Sequence, residues 1–310
     1  MTTLAQPSQP VQTRASRQRE LWRRFRKTWP GYLFISPAGL LITVFSYIAI
    51  IFSLYISFHQ YDIISEARPF EGLENYARAL SDKLVRISFR NTFIYVVVIV
   101  PSITIISLLL AVLGNQVRRG RALFRTVFFI PTITPIVVTS MLWVWLYEPT
   151  GGINRLLEMI NIEGPNWLFN PATALPAIMI MTIWGAVGYY MIIFLAGLAE
   201  IPEVFYEAAK VDGAGRWHTF WNITIPLLRN SLIFAFVTLT IAAFQVFTQV
   251  FIMTQGGPMN STQTVQMVVY HYAFQRFEMG YASAISWLLF GVIFFFSALQ
   301  LKLFISRELY

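Results

Sequence analysis

Polar side chains that could bind a solute lie inside a long apolar run near the end of the chain. Thr238, Gln245, Thr248 and Gln249 fall on or near one face of a predicted helix, and Phe244 borders that face. Hydroxyl and amide groups donate and accept hydrogen bonds without carrying a charge. The stripe predicts either reversible binding of a polar solute or hydrogen bonds to a neighbouring helix, worth ~0.6–2 kcal/mol each.

No set of residues has the spacing of a catalytic or metal site. His59, His218 and His271 are far apart and lack the His-Glu-x-x-His pattern of a zinc helix. Asp212-Gly-Ala-Gly215 contains glycines, but no Lys-Ser/Thr follows it, so it is not a phosphate-binding loop. Cysteine is absent, which excludes a thiol nucleophile. The sequence therefore predicts a chain that is not an enzyme, binds no metal or cofactor and does not hydrolyse ATP itself.

A charged segment, residues 206–226, separates two long apolar runs. Its first part, Glu207-Ala208-Ala209, is rich in good helix formers and predicts a short helix. Asp212-Gly213-Ala214 then predicts a turn, because glycine accepts backbone angles that other residues resist. Apolar residues recur at helical spacing after the turn: Trp217, Phe220, Trp221 and Ile225. Two short amphipathic helices joined by a glycine elbow would present a surface that a soluble partner can bind.

The elements that must position these residues are membrane-spanning helices. The chain has 310 residues, is 56% hydrophobic and 12% charged, and has a mean hydropathy of +0.58. Six runs contain no Asp, Glu, Lys or Arg: 28–61, 91–117, 126–147, 164–199, 230–275 and 279–301. Each exceeds the ~20 residues that a helix needs to cross a bilayer. Because a spanning segment must satisfy its own backbone hydrogen bonds, these runs predict an all-α membrane protein with six transmembrane helices.

The net charge of +8 reflects membrane orientation rather than nucleic-acid binding. If the N-terminus is cytoplasmic, sixteen of the 23 Lys and Arg lie on the cytoplasmic side. This asymmetry fits the positive-inside rule, and six crossings then place both termini and residues 206–226 in the cytoplasm.

The predicted organisation has three parts. Residues 1–30 form a disordered tail and a basic interfacial helix, and residues 31–58 form the first transmembrane helix. Residues 91–305 form a bundle of five further helices with a cytoplasmic loop at 199–228. The predicted helices of this bundle are 91–113, 124–147, 174–198, 230–253 and 283–304.

The charged segment resembles the coupling loop of ABC-importer permeases. That loop contains Glu-Ala-Ala, then Asp-Gly-Ala, then an apolar residue and a proline. All of these parts are present at the family's spacing: Glu207-Ala208-Ala209, Asp212-Gly213-Ala214, Phe220 and Ile225-Pro226. The resemblance extends over nearly the whole chain except the tail. Three further strings resemble the carbohydrate branch of the family: Thr254–Pro258, Tyr272–Phe274 and Gly280–Ala284.

The resemblance implies a fold, a location and a set of partners. The fold is the type I ABC importer transmembrane domain, located in the bacterial inner membrane. The partners are a homologous second permease, two ATP-binding subunits that bind ATP and Mg²⁺, and an extracytoplasmic solute-binding protein. The loop containing Glu207, Ala208, Ala209, Asp212, Gly213 and Ala214 would insert into a groove on an ATP-binding subunit. Glu207 would pair with a basic residue there, and Trp217, Phe220 and Trp221 would anchor the loop to the bundle.

In similar permeases the residues that face the solute come from the fourth and fifth helices. Sugars are bound by amide and hydroxyl hydrogen bonds and by aromatic rings. Candidate solute-path residues are therefore Trp184, Tyr189, Tyr190, Phe244, Gln245 and Gln249. Three alternatives remain open: hydrogen bonding between helices for these residues, glycerol 3-phosphate or another polar solute as the cargo, and a secondary transporter without an ATPase. The six charge-free runs contain no ionisable residue for ion coupling except histidines near their ends, which disfavours the last alternative.

Overall fold

The computed structural model describes residues 14–62, 68–117 and 119–305, and in these ranges the protein is built from α-helices. The predicted tail therefore lies largely outside the described residues. The helices are α1 (Arg14–Ile42), α2 (Ala49–Ser57), α3 (Glu74–Ser81), α4 (Lys83–Gln116), α5 (Arg121–Ile133), α6 (Ile136–Leu146), α7 (Gly152–Glu158), α8 (Ala174–Glu200), α9 (Glu203–Val211), α10 (Arg216–Thr219), α11 (Ile225–Leu227), α12 (Arg229–Phe244), α13 (Thr248–Met253), α14 (Val265–Tyr270) and α15 (Met279–Ile305). Three π-helical segments adjoin them: Thr43–Ile48, Phe220–Thr224 and His271–Gln275.

Four helical segments are long and apolar enough to cross a membrane: Thr28–Ser57, Lys83–Gln116, Ala174–Glu200 and Met279–Phe304. Two bent helix pairs raise the number to six when each pair counts as one span. These pairs are α5 with α6, and the segment Arg216–Leu227 with α12. By length and composition the described residues thus allow four to six crossings, a range that includes the predicted six. The fifth span counted in this way includes Arg216–Leu227, which the prediction placed in the cytoplasmic loop.

The chain divides into two compact units, residues 1–55 and 56–310. In the first unit the predicted interfacial helix and the first transmembrane helix are joined, since α1 runs without a break to Ile42. Its aromatic side chains contact each other in sequence, Trp22 with Phe25 and Phe25 with Trp29.

The second unit is centred on α4 and α8, which pack against each other. Their largest buried side chains include Tyr95, Ile99, Ile178 and Phe194. Gly188 and Gly197 let α8 approach its neighbours closely, as is usual within membranes. The Ser107 hydroxyl of α4 donates to the Val187 carbonyl of α8 (2.9 Å).

The third crossing is broken by prolines. α5 and α6 meet at 95°, and Pro131 and Pro135 flank the break. A proline has no N–H and cannot continue the helical hydrogen bonds, which explains the bend. The predicted span of 124–147 is therefore two helices with different directions.

The predicted fifth crossing, residues 230–253, is also broken, although this range contains no proline. Helix α12 ends at Phe244 and α13 begins at Thr248, so the prediction of one helix over 230–253 is wrong at residues 245–247. The Thr264 hydroxyl donates to the Val246 carbonyl (3.1 Å), which gives a partner to a backbone group that the break exposes.

Asp82 ties several elements together at one end of the second unit. Its carboxylate accepts hydrogen bonds from the Leu84 backbone N–H (2.7 Å), the Tyr272 hydroxyl (2.9 Å) and the Tyr281 hydroxyl (3.0 Å). Burial by itself would raise the pKa of Asp82, but the hydrogen bonds from Tyr272, Leu84 and Tyr281 outweigh it and the pKa lies below its ordinary value.

We expect Asp82→Asn to reduce stability by about 1 kcal/mol at neutral pH, because an amide oxygen is a weaker acceptor than a carboxylate. The lowered pKa means that the stabilisation is present above the ordinary pKa of 3.8 and is lost as the pH falls through the folded-state value. Thermal unfolding in detergent at neutral and at acidic pH measures this difference. Glu158→Gln, an exposed carboxylate-to-amide change elsewhere, is the control. An equal loss in both variants, or one independent of pH, would contradict the assigned role.

Candidate functional site

A cavity of about 380 Å³ opens where the two broken crossings meet the central helices. Its walls come from α4, the α5–α6 bend, α8 and the α12–α13 break. The side chains that line it are apolar, aromatic or uncharged polar, and they include Tyr95, Thr182, Tyr189, Tyr190 and Gln249. Such a mixture suits a neutral ligand whose orientation is fixed by a few hydrogen bonds.

Several hydroxyl groups in the wall already have partners. Tyr95 donates to the Thr182 hydroxyl (2.9 Å), which donates to the Ile178 carbonyl (2.9 Å). Tyr190 and Thr238 share a long hydrogen bond (3.5 Å). These bonds hold the wall in place and leave fewer of its polar groups free to bind a ligand.

Two long polar side chains in the wall make no side-chain hydrogen bond with the part of the chain that the structure describes. They are the Tyr189 hydroxyl, on a side chain that is 46% exposed, and the Gln249 amide. In a membrane a polar group without a partner is costly unless it faces water, a ligand or another protein. Tyr189 and Gln249 are thus the cavity groups available to a polar solute.

The structure separates the six predicted solute-path residues. Tyr189, Tyr190 and Gln249 line the cavity. Trp184 packs edge-on against Trp143, with ring centroids 5.7 Å apart, outside the cavity wall. Phe244 is only 2% exposed and stacks on Phe296 (5.7 Å). Gln245 lines a separate groove of about 360 Å³ together with Gln266 and Ser286.

The break in the fifth crossing explains the separation of the two glutamines. Residues four apart on a continuous helix lie on the same face, so Gln245 and Gln249 were expected together. The non-helical residues 245–247 change the direction of the chain between them.

Sequence reasoning missed the part of the wall that α8 contributes before Tyr189. Thr182, Gly185, Ala186, Tyr189 and Tyr190 follow the spacing i, i+3, i+4, i+7 and i+8, which places them on one helical face. A stripe of small and polar residues on one face of an apolar helix could have predicted this part of the cavity wall.

The loop between α8 and α12 has the predicted glycine elbow. Gly213 has φ +72°, a left-handed conformation that favours glycine. The Ala214 amide donates to the Ala209 carbonyl (2.9 Å) and the Gly213 amide to the Lys210 carbonyl (3.2 Å). These two bonds form a Schellman motif, which ends α9 and turns the chain toward α10.

The elbow presents part of its motif to the outside. Glu207, Ala208, Asp212 and Gly213 are exposed, Ala214 is half-buried, and Ala209 is buried. Within the described residues Glu207 makes no ion pair. The carboxylate is therefore available to a partner.

Large apolar side chains surround the exposed motif, among them Val204, Val211, Trp217 and Trp221. Trp217 is 74% exposed and Trp221 50%, and the two contact each other with ring centroids 5.8 Å apart. Only Phe220 of the three expected anchors is half-buried against the core, so the expectation that Trp217 and Trp221 fix the loop to the bundle is wrong. An exposed apolar patch with a polar rim is typical of a protein-binding surface.

Comparison with known proteins gives a consistent result. Residues 103–306 match the family described as "Binding-protein-dependent transport system inner membrane component". The chain is 33% identical over 280 residues to a trehalose/maltose transport system permease of Thermococcus litoralis, covering 90% of this chain and 95% of that protein. It is 36% identical over 276 residues to a lactose transport system permease of Rhizobium radiobacter, covering 87% of this chain and 92% of that protein.

A solved structure shares the fold. It is a bacterial ABC transporter involved in the import of the acidic polysaccharide alginate, matched with a TM-score of 0.83 and 22% identity over 94% of this chain and 100% of that chain. This likeness confirms the predicted fold, that of an ABC importer transmembrane domain. From its sequence matches, the chain belongs to the family of inner-membrane components of binding-protein-dependent transport systems.

Proposed function

We propose that this chain is the transmembrane permease subunit of an ATP-driven importer for a carbohydrate. The observation that supports the carbohydrate most is the similarity, over more than four fifths of the chain, to permeases for trehalose/maltose and for lactose. The cavity is compatible with such a cargo, because its wall has free amide and hydroxyl groups, tyrosine rings and no charged side chain.

The proposed importer contains further subunits. A homologous permease would complete the pathway, two ATP-binding subunits would bind ATP and Mg²⁺, and an extracytoplasmic solute-binding protein would deliver the solute. The positive-inside charge pattern supports an orientation in which both termini and the elbow are cytoplasmic.

The elbow is the part of this chain proposed to receive the energy of ATP hydrolysis. Its exposed Glu207 and apolar patch would bind an ATP-binding subunit, and the Schellman turn would hold α9 and α10 at a fixed angle. Movement of that subunit would then displace α8 and α12, which adjoin the elbow and line the cavity. The cavity would alternate between outward-facing and inward-facing packings, a shift between two populated states.

Import of glycerol 3-phosphate or another polar solute is the main alternative. A phosphate would be expected to meet Lys or Arg, and the cavity wall of this chain contains neither. A secondary transporter without an ATPase is the weaker alternative.

Uptake by the complete transporter in proteoliposomes tests the proposal. Labelled maltose, trehalose, lactose and glycerol 3-phosphate are each supplied together with the importer's own solute-binding protein. Uptake is measured with and without ATP on the side of the membrane where the elbow lies. We expect ATP-dependent uptake of a sugar. Uptake without ATP would contradict the ABC mechanism, and uptake of glycerol 3-phosphate alone would contradict the sugar assignment.

Two neighbouring glutamines give a matched test of the cavity. Gln249→Leu removes a free amide from the wall, and we expect the half-saturating solute concentration to rise about five-fold, as for one neutral hydrogen bond of ~1 kcal/mol. Gln245→Leu makes the same change outside the cavity and should alter the half-saturating solute concentration by no more than about two-fold. Concentration-dependent uptake measures both. Equal effects of the two substitutions would contradict the assignment of the cavity as the solute site.

A further inference from the structure

The first part of α1 carries a row of aromatic side chains that the proposed function does not use. Trp22, Phe25, Trp29 and Tyr32 follow the spacing i, i+3, i+7 and i+10, which places them on one side of the helix. They are 72%, 52%, 53% and 62% exposed. Trp22 contacts Phe25 edge-on, with ring centroids 6.3 Å apart, and Phe25 contacts Trp29 at 5.8 Å. We call these four residues the aromatic stripe, an apolar surface that the other described residues leave largely uncovered.

Basic residues occupy the remaining sides of the same segment. Residues 14–27 contain seven Lys or Arg and one Glu. Helical spacing places the basic residues of 17–27 beside and opposite the aromatic stripe, and Arg26 is exposed. A helix with a basic face and an aromatic face is typical of segments that lie in the interface of a membrane, where Trp is enriched.

The residues that follow the aromatic stripe are apolar on every side. Leu33, Phe34 and Ile35 are consecutive, so they point in different directions from the helix axis, and all three are exposed. The run 28–61 contains no charged residue, and Thr28–Ser57 is long and apolar enough to cross a membrane. Because α1 continues unbroken from the aromatic stripe into this span, the stripe lies at the membrane boundary.

The span is longer than a bilayer requires. Its 30 residues measure about 45 Å as a helix, against a hydrocarbon thickness of about 30 Å. A long span is accommodated by tilting, and Trp, Tyr, Lys and Arg at the interface set the direction of the tilt. A tilt would bring one side of residues 14–27 onto the membrane surface. The aromatic stripe is the side that has apolar surface to bury.

We propose that the first part of α1 binds the anionic phospholipid headgroups of the membrane surface. The aromatic stripe would lie among the headgroups, and the basic residues would bind their phosphates. A second copy of this helix is a poorer occupant, because it would bring like charges together. Nucleic acid would also satisfy the charges, but the aromatic stripe continues into a membrane span and so lies against lipid.

The number of basic residues makes the binding depend strongly on the charge of the lipid. Each Lys or Arg near an anionic surface contributes about five-fold to the ratio of membrane-bound to free segment. Three such residues therefore change this ratio by about a hundred-fold. Salt screens the attraction, so the ratio should fall as the ionic strength rises.

Electron paramagnetic resonance of the complete transporter in nanodiscs measures the depth of this segment. The chain has no cysteine, so Gln18→Cys, one turn before Trp22, gives it a single nitroxide attachment site once the cysteines of the other subunits are replaced. The accessibility of the nitroxide to oxygen and to a water-soluble nickel chelate distinguishes the membrane interface from water. The nanodiscs contain phosphatidylcholine alone, or phosphatidylcholine with an equal amount of phosphatidylglycerol.

We expect the bound-to-free ratio to be at least about ten-fold higher with phosphatidylglycerol and to fall at high salt. Arg23→Gln/Arg24→Gln/Arg26→Gln should lower the ratio with phosphatidylglycerol at least about ten-fold. Replacement of the same three arginines by lysine keeps the charge, is the matched control, and should change the ratio by no more than about two-fold. Trp22→Ser/Phe25→Ser should move the label into water although every charge is kept.

Equal accessibility of the label in the two lipid compositions would overturn the proposal, and this comparison needs no change to the stripe or to the basic residues. Equal effects of the glutamine and lysine substitutions would also overturn it. Protection of the label that persists in phosphatidylcholine would identify a protein or a second copy as the occupant, and protection lost on nuclease treatment would identify nucleic acid. The inference is independent of the proposed function, because neither ATP nor the cargo enters this measurement.

Discussion

Glu207→Lys is expected to abolish ATP-dependent uptake while leaving membrane insertion intact. Glu207 is exposed on α9 beside the glycine elbow and has no ion-pair partner among the described residues. The proposed partner is a basic residue of an ATP-binding subunit. An exposed ion pair contributes only ~0–1 kcal/mol, but reversing the charge also places like charges in contact and disturbs the alignment of the two subunits. The loss should therefore affect transmission of the ATP-driven movement more than assembly.

Uptake in proteoliposomes, the amount of chain in the membrane fraction and solute-stimulated ATP hydrolysis together measure this effect. Glu158→Lys is the matched control, since it makes the same charge reversal at an exposed position of α7, away from the elbow. Uptake at the wild-type rate by Glu207→Lys would contradict the proposed coupling role of Glu207. Loss of the chain from the membrane would indicate a structural role instead.

Gly188→Ala is expected to reduce the stability of the bundle by about 3 kcal/mol. Gly188 lies where α8 approaches α5, and a Cβ atom built there overlaps the Phe128 carbonyl oxygen. The obstacle is main chain rather than a flexible side chain, so the two helices would have to separate. Small residues at such positions are what allow membrane helices to pack closely.

Gly185→Ala gives the matched comparison. The same substitution three residues earlier meets no atom within 4 Å, and alanine favours a helix over glycine by ~1 kcal/mol. Thermal unfolding in detergent should show a lower midpoint for Gly188→Ala and an unchanged or higher one for Gly185→Ala. An unchanged midpoint for Gly188→Ala would contradict the close approach of α5 and α8.

Local chemistry made the elbow predictable from the sequence. Glu207-Ala208-Ala209 favours a helix. The turn that ends this helix needs a residue with a positive φ, and Gly213 occupies that position. The exposure of Trp217 and Trp221 was not predictable in the same way, because an aromatic residue at helical spacing fits a core and a protein interface equally well.

The two broken crossings show the limit of pattern reasoning more clearly. Pro131 and Pro135 predict the break between α5 and α6, although not its angle of 95°. No residue of 245–247 predicts the break between α12 and α13, because the backbone at that break is stabilised by a hydrogen bond from Thr264, eighteen residues after Val246. Because of that tertiary contact, Gln249 lines the cavity and Gln245 lines a separate groove.

The bond from Thr264 to the Val246 carbonyl also bears on how the protein is made. A ribosome completes residue 264 only after the whole fifth crossing has been synthesised, so the nascent crossing lacks this partner at its break. In hydrocarbon an unpaired carbonyl is costly, which favours an unbroken helix until the partner is available. The cavity lined by Val246 and Gln249 would consequently take its final shape only after Thr264 has been synthesised.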